Sequence, residues 1–224
     1  MILEGDTSSI SKSGQFINIK IEGLFLRRPI SICDYDDSTI TIIYKVVGKG
    51  TKILRQMTKS DQLDILVGLG NGYDTSKAGD KPLLLGGGVG IPPLFRLTKD
   101  LISEGKSPLV VLGFKNKEES FYIDEFKNIG AKVLVATEDG SLGTKGFVID
   151  AIKGNSEYTY FYTCGPEAML KAISENTHTE GQLSFEERMG CGFGACMGCS
   201  CETKYESKRI CKEGPVLEKE EIIW

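Results

Sequence analysis

PLLLGGGVGIPPLFRLTKDLISEG, residues 82–105, decides the fold. An apolar run of strand length breaks into glycines and resumes as a helix. Leu94, Leu97, Leu101 and Ile102 recur at helical spacing, and Pro92 and Pro93 sit where a missing amide hydrogen costs little. The same texture repeats downstream: PLVVLGF then KEESFYIDEFKNIG, AKVLVAT then GFVIDAIKGN, YTYFYTCG then PEAMLKAISEN. Strands alternating with helices predict an α/β domain built on a parallel sheet with right-handed crossovers, over residues 77–184. The loop Gly86-Gly87-Gly88-Val89-Gly90 follows a strand and precedes a helix, where an open α/β sheet receives a nucleotide at its carboxyl edge. It departs from the full GxGxxG fingerprint by a proline in the last glycine's place, and a tight strand-to-helix turn would use the same residues. Cys164-Gly165-Pro166 closes a later strand at the same edge; a buried structural cysteine would explain Cys164 alone.

Upstream, to about Gly72, the apolar segments are short and β-branched: QFINIKI (15–21), ITIIYKVV (40–47) and LDILVG (63–68), parted by DYDDS and GKG. They predict a small antiparallel β-barrel over residues 1–76, with no long helix. Arg28-Pro29-Ile30-Ser31 follows the first of these strands. An arginine there can clamp a pyrophosphate and a serine can reach a polar ring edge, although a surface arginine before a proline turn would look the same.

The segment from 185 to 224 loses periodicity and becomes rich in glycine and cysteine, as an element does when a metal rather than an apolar core organises it. Cys191-x4-Cys196-x2-Cys199, with Cys211 further on, is the spacing by which plant-type ferredoxins hold a [2Fe-2S] cluster. Four thiolates also suit zinc, but paired knuckles with short gaps are the usual zinc pattern. Cys201 is a fifth thiol that could stand in for Cys199, except that C-x4-C-x4-C is not the ferredoxin spacing.

The whole chain has 224 residues, 40% hydrophobic and 26% charged, with a formal charge of -4. That balance favours a globular protein and disfavours nucleic acid as a partner. No run reaches the roughly 18 apolar residues of a membrane span, and the N-terminus lacks the order of a signal peptide, so a cytoplasmic location is expected. Seven cysteines in that compartment point to metal or redox chemistry. His178, the only histidine, lies in a polar stretch and reads as solvated.

In order, LRRPIS (26–31), IIYKVVGKGT (42–51), GLGNGYD (68–74), GGGVGIPPL (86–94), YTCGPEAML (162–170) and ERMGCGFGACMGC with ICKEGPVL (187–217) make the chain resemble the electron-transfer subunits of bacterial class-B dihydroorotate dehydrogenases. These are a branch of the ferredoxin-reductase superfamily. The resemblance implies a flavoprotein whose FAD lies at Arg28, Pro29, Ile30, Ser31, Ile43, Tyr44, Lys45, Gly50 and Thr51. It implies NAD at Gly87, Gly88 and Cys164, and cluster ligation by Cys191, Cys196, Cys199 and Cys211. Such a chain relays electrons, in pyrimidine biosynthesis, from dihydroorotate oxidised on an FMN-containing catalytic subunit through [2Fe-2S] and FAD to NAD+, within a heterotetramer. No protein acid or base is required for the hydride step, and no catalytic residue is assigned.

Two departures accompany the resemblance. Ile30 stands where most of the superfamily has tyrosine, and the family's first strand is mostly missing before MILEGDTSS. The loop after VVLGF holds Lys115 and Lys117 but no arginine, which favours NAD over NADP. A small subunit of a related ferredoxin-NADP reductase or sulfide dehydrogenase would share the flavin and cluster. A zinc-stabilised nucleotide-binding regulator would share neither.

Overall fold

Short β-branched runs build the first part of the chain. In the computed structural model, which describes residues 1–154 and 157–224, they form β1 (Ile2–Glu4), β2 (Phe16–Ile19), β3 (Arg28–Tyr35), β4 (Thr39–Ile42) and, after helix α1 (Lys49–Gln56), β5 (Ile65–Leu69). These make one antiparallel sheet in the order β1-β4-β3-β2-β5. Ile17, Ile19, Ile32, Ile40 and Ile42 bury one face against Ile10, Ile21 and Leu54 of α1. Register shifts between Phe16 and Asn18 and between Ile32 and Asp34 mark bulges, which raise the local twist and curl the sheet. No hydrogen-bonded seam joins β1 to β5 among the described residues, so the expected barrel is a curled sheet with two edges. β3 runs straight through residues 28–31, for which a proline turn is the alternative reading, and α1, at eight residues, keeps to the expectation of no long helix.

From Pro82 the strand-helix alternation is realised as β6 (Pro82–Gly87), α2 (Pro92–Ser103), β7 (Leu109–Phe114), α3 (Ile123–Asn128), β8 (Lys132–Thr137), β9 (Thr144–Lys145), α4 (Val148–Ala151), β10 (Tyr160–Cys164), α5 (Glu167–Asn176) and β11 (Gly181–Ser184). Asn155, the last residue of the segment expected to form the third crossover helix, lies outside the described residues. Alternate residues of each strand serve opposite faces. Leu84, Val110, Leu112 and Tyr162 pack with Leu94, Leu97 and Leu101 of α2 and Phe126 of α3, while Leu83, Leu85, Val111 and Phe161 pack with Val148 of α4 and Leu170 and Ile173 of α5. The helix expected from residue 117 starts only at Ile123, because Tyr122 takes a left-handed conformation at its N-terminus.

The last segment adds a two-stranded hairpin, β12 (Ser200–Glu202) and β13 (Ser207–Arg209), and then β14 (Val216–Glu218), which pairs antiparallel with β11. The larger sheet is therefore mixed but mostly parallel, in the order β14-β11-β10-β6-β7-β8-β9. Contrary to the expectation that this segment lacks a core, Cys199, Ile210, Cys211, Leu217 and Ile222 are buried in the same cluster as Leu83 and Phe161. No helix among the described residues is long and apolar enough to cross a membrane.

Candidate functional site

Three groups of chemistry-bearing residues stand out in the molecule. The first is on the curled sheet. Residues 28–31 of β3 pair only with β2, because pairing with β4 begins at Ile32, so one edge of this stretch keeps free backbone groups. That explains how Pro29, with no amide hydrogen, fits within a strand that is central further along. Arg28 lies along the first turn of α1: a Cβ on Gly50 would stand 2.5 Å from Arg28 Nε. Any larger residue there would have to displace the Arg28 side chain. Thr51 Oγ1 accepts hydrogen bonds from Val47 and Gly48 and tightens the turn ahead of the helix. Arg28, Gly50 and Thr51, 22 and 23 residues apart in sequence, thus meet at a helix N-terminus, a ready cradle for an anionic group. Ile30 and Tyr44 are half-buried against the sheet's core, and burial raises the Tyr44 hydroxyl above its ordinary value. Ile43 packs towards the larger domain, and Lys45 reaches Glu119 across the gap at 3.5 Å.

The second group is at the carboxyl edge of the parallel sheet. Cys164 on β10 sits between Gly86 on β6 and Ser184 on β11 in register, so the glycine loop and the Cys-Gly-Pro turn are side by side. Gly87 ends β6, Gly88 starts the turn that leads into α2, and Gly165-Pro166 leads into α5. The Cys164 thiol is buried, and burial together with the charge of Glu186 pushes it up to about 12. It is a neutral thiol at physiological pH rather than a nucleophile. Tyr73, which the motif reading missed, is buried beneath this edge and donates its hydroxyl to the Thr163 carbonyl at 3.1 Å.

The third group is the cysteine segment. Backbone amides of the segment are directed at three of its sulfurs. Ala195 and Cys196 donate their backbone N–H to Cys191 Sγ at 3.2 and 3.4 Å, and Cys191 N–H reaches Cys196 Sγ at 3.5 Å. Cys211 N–H donates to Cys199 Sγ at 3.4 Å. Desolvation opposes ionisation of Cys191, but backbone donors from Phe193, Cys196 and Ala195 outweigh it and bring the thiol down to about 6. Cys199 and Cys211 are buried and Cys196 is exposed, so the segment has a buried and an exposed end. Cys201 lies on β12 opposite Lys208, packed against the buried cluster that holds Cys199 and Cys211, and among the described residues its thiol shares no hydrogen bond with the other thiols. Among the described residues no three His, Cys, Asp or Glu side chains converge on a single ion position.

Side chains outside the motifs hold this segment in place. Arg209 donates to the Gly194 carbonyl at 2.6 Å while its other nitrogens engage Glu213. Asn71, in the loop after β5, donates to the carbonyls of Glu213 and Val216 at 2.9 and 2.7 Å and accepts from Val216 N–H. His178 is exposed.

Comparison with known proteins agrees with this division. Residues 84–175 match the oxidoreductase NAD-binding domain, and residues 186–223 match the iron-sulfur cluster binding domain of dihydroorotate dehydrogenase B. The chain is 44% identical to the dihydroorotate dehydrogenase B (NAD(+)) electron transfer subunit of Fusobacterium nucleatum subsp. nucleatum, over 91% of this chain and 83% of that one. It is 44% identical to the equivalent subunit of Bacillus caldolyticus, over 94% and 86%. Among solved structures, a chain of the NADH-dependent reduced ferredoxin-NADP oxidoreductase superposes with a TM-score of 0.87 at 30% identity, covering 97% of this chain and 82% of that one. The ferredoxin reductase of carbazole 1,9a-dioxygenase shares the fold alone, at 22% identity and a TM-score of 0.64 over 78% and 58%. Extended identity to several relatives, with domain matches over the second and third site groups, means that this chain belongs to the family of electron-transfer subunits of NAD+-linked, class-B dihydroorotate dehydrogenase.

Proposed function

We propose that this chain carries electrons from dihydroorotate oxidation on an FMN-containing catalytic subunit to NAD+ in pyrimidine biosynthesis, through a [2Fe-2S] cluster and an FAD that it binds itself. The observation that carries the reading is the match of residues 186–223 to the iron-sulfur cluster binding domain of dihydroorotate dehydrogenase B, over a segment with the Cys191-x4-Cys196-x2-Cys199 spacing whose backbone amides are directed at the Cys191 and Cys199 sulfurs.

The proposed division is residues 1–76 for FAD, 77–184 for NAD and 185–224 for the cluster. Arg28 and the first-turn amides of α1, with Gly50 and Thr51, would hold the FAD pyrophosphate. The open edge of Pro29, Ile30 and Ser31 offers backbone groups to the ring, and Tyr44 supplies the aromatic surface that Ile30 does not. Ile43 and Lys45 would flank the same ring. Gly87 and Gly88 would let the NAD pyrophosphate approach the backbone before α2, and Cys164 would present a neutral, uncharged wall to the nicotinamide. Bound FAD would supply the exchange between two-electron hydride transfer and one-electron steps that a nicotinamide and an iron-sulfur cluster lack between them. In this scheme the protein's residues orient and exclude water.

Phe193 and Met197, 54% and 55% exposed, flank Cys196 in the chain, and such apolar side chains beside an electron-transfer group suit a partner's face. The catalytic subunit, in a heterotetramer, is the proposed occupant. The likeness to a ferredoxin-NADP oxidoreductase chain at 30% identity supports a second reading, a subunit serving another donor, less strongly than 44% identity supports the first. Co-purification with the catalytic subunit, followed by dihydroorotate-dependent NAD+ reduction, tests the assignment. Reduction with dihydroorotate faster than with reduced ferredoxin is expected, and the reverse order would reject it. NADH should reduce the flavin faster than NADPH, consistent with the absence of arginine after β7.

A further inference from the structure

β2 reads Phe16-Ile17-Asn18-Ile19, and strand alternation puts Phe16 and Asn18 on one face, Ile17 and Ile19 on the other. Ile17 and Ile19 fill the core of the curled sheet. Phe16 turns the opposite way, into the cluster of side chains that contains Cys199, Ile210 and Cys211. Asn18 faces the same way and is 1% exposed. Its Nδ2 donates to the Cys191 carbonyl at 3.0 Å. The contact is close: Gly192 has φ +78°, and a Cβ there would stand 2.2 Å from Asn18 Nδ2. On the other side of β2, Pro29 lies opposite Asn18 and Ser31 opposite Phe16. One strand therefore separates the stretch read as flavin-binding from the cysteine segment.

Asn18 Oδ1 is buried with no partner among the described residues. Leaving such an atom unpaired costs about 1–3 kcal/mol, which an apolar side chain of similar size would avoid. The amide is thus accounted for by what its Nδ2 holds. We infer that Asn18 is a positioning residue: it pins the Cys191 limb of the cysteine loop to the flavin-bearing strands, so that the curled sheet, rather than the cysteine segment alone, sets the separation and surroundings of the cluster. This inference rests on the FAD and [2Fe-2S] reading above.

The test uses the full chain, with FAD and cluster reconstituted without oxygen, as wild type, Asn18→Leu and Asn18→Asp. Both variants should keep the flavin content and the rate at which NADH bleaches the flavin. The EPR g values and the midpoint potential of the reduced cluster should shift, further in Asn18→Asp, and electron transfer from flavin to cluster should slow about tenfold. Before reconstitution, amide hydrogen exchange over residues 190–196 should quicken in both variants, with residues 207–211 unchanged. Wild-type exchange together with wild-type EPR and potential would overturn the role while leaving the cluster reading intact. Loss of flavin from both variants would also overturn it, placing the effect in the stability of the sheet. A wild-type chain that takes up no iron would end both readings.

Discussion

Cys201 and Cys33 show how the surroundings of a thiol decide its chemistry. Cys201 is only two residues beyond Cys199, yet it is set into a β-ladder opposite Lys208 while Cys199 turns inward towards Cys211. Cys201→Ser should therefore retain full iron and the visible absorption of the cluster, and Cys211→Ser should lose most of both; iron analysis beside a visible spectrum checks the pair. Cys33 sits on β3, fully buried, and burial pushes its thiol up to about 12, against a hydrogen bond with the Tyr122 side chain that lowers it. A thiol whose folded value is raised contributes stability that is complete below the ordinary value near 9.0 and is lost as pH climbs towards about 12. In that window the folded state holds the proton that the unfolded chain releases, so stability falls by up to about 1.4 kcal/mol per pH unit for this one group. Urea unfolding at pH 8 to 11 should show a shallower decline for Cys33→Ala than for wild type. Parallel declines would mean that the thiol does not govern the window.

β3 and α2 are the elements on which the two halves of the molecule meet. Lys99 of α2 pairs with Asp34 at 2.8 Å, and Arg96 lays its guanidinium 3.9 Å over the Tyr35 ring while donating to the Tyr35 carbonyl and to Asp100. An arginine that stacks, donates and pairs at once, with its side chain 24% exposed, is worth more than a surface ion pair. Arg96→Ala should cost about 2 kcal/mol in urea unfolding, and Arg96→Lys should restore little of it, because a lysine loses the planar fork. Equal stability in all three chains would show that the contact is not holding the halves together. The α/β alternation was legible from residues 82 onward because long periodic runs leave little ambiguity. β3 was not, because Pro29 reads as a turn until one sees that its strand lacks a second neighbour at that point. α1 was missed because a helix of eight residues led by two glycines carries too few apolar positions to announce itself. The cysteine spacing pointed to four thiols of one segment, but a spacing cannot report that Asn18 of β2 is hydrogen-bonded to that segment. Asn18 was visible only as a polar residue in an apolar strand, a signal shared by any tolerated asparagine.

At the scale of the whole molecule, the cysteine segment is fastened to the curled sheet by Asn18 and Asn71 and to the larger sheet by β14, so it touches both parts that carry the other two groups. Within the segment Cys199 and Cys211 are buried, Cys191 is half-buried and Cys196 is exposed. A relay with one buried and one exposed end has a direction built into its shape, and the exposed end must meet whatever delivers electrons. Phe193 lies between Cys191 and Cys196 at that end, with more than half of its surface open, and its ring fills no part of the buried clusters. Removing it should therefore spare folding and strike only the encounter. Phe193→Ser should keep the cluster, the flavin and NADH oxidation with a small artificial acceptor that takes electrons from the flavin. Its affinity for the catalytic subunit should fall about 30-fold, as the loss of an apolar anchor worth about 2 kcal/mol implies. Titration of the catalytic subunit, read by light scattering and by dihydroorotate-dependent NAD+ reduction, measures both. A Phe193→Ser chain that assembled and turned over like wild type would place the partner on another face and require a longer path from the outer cysteines.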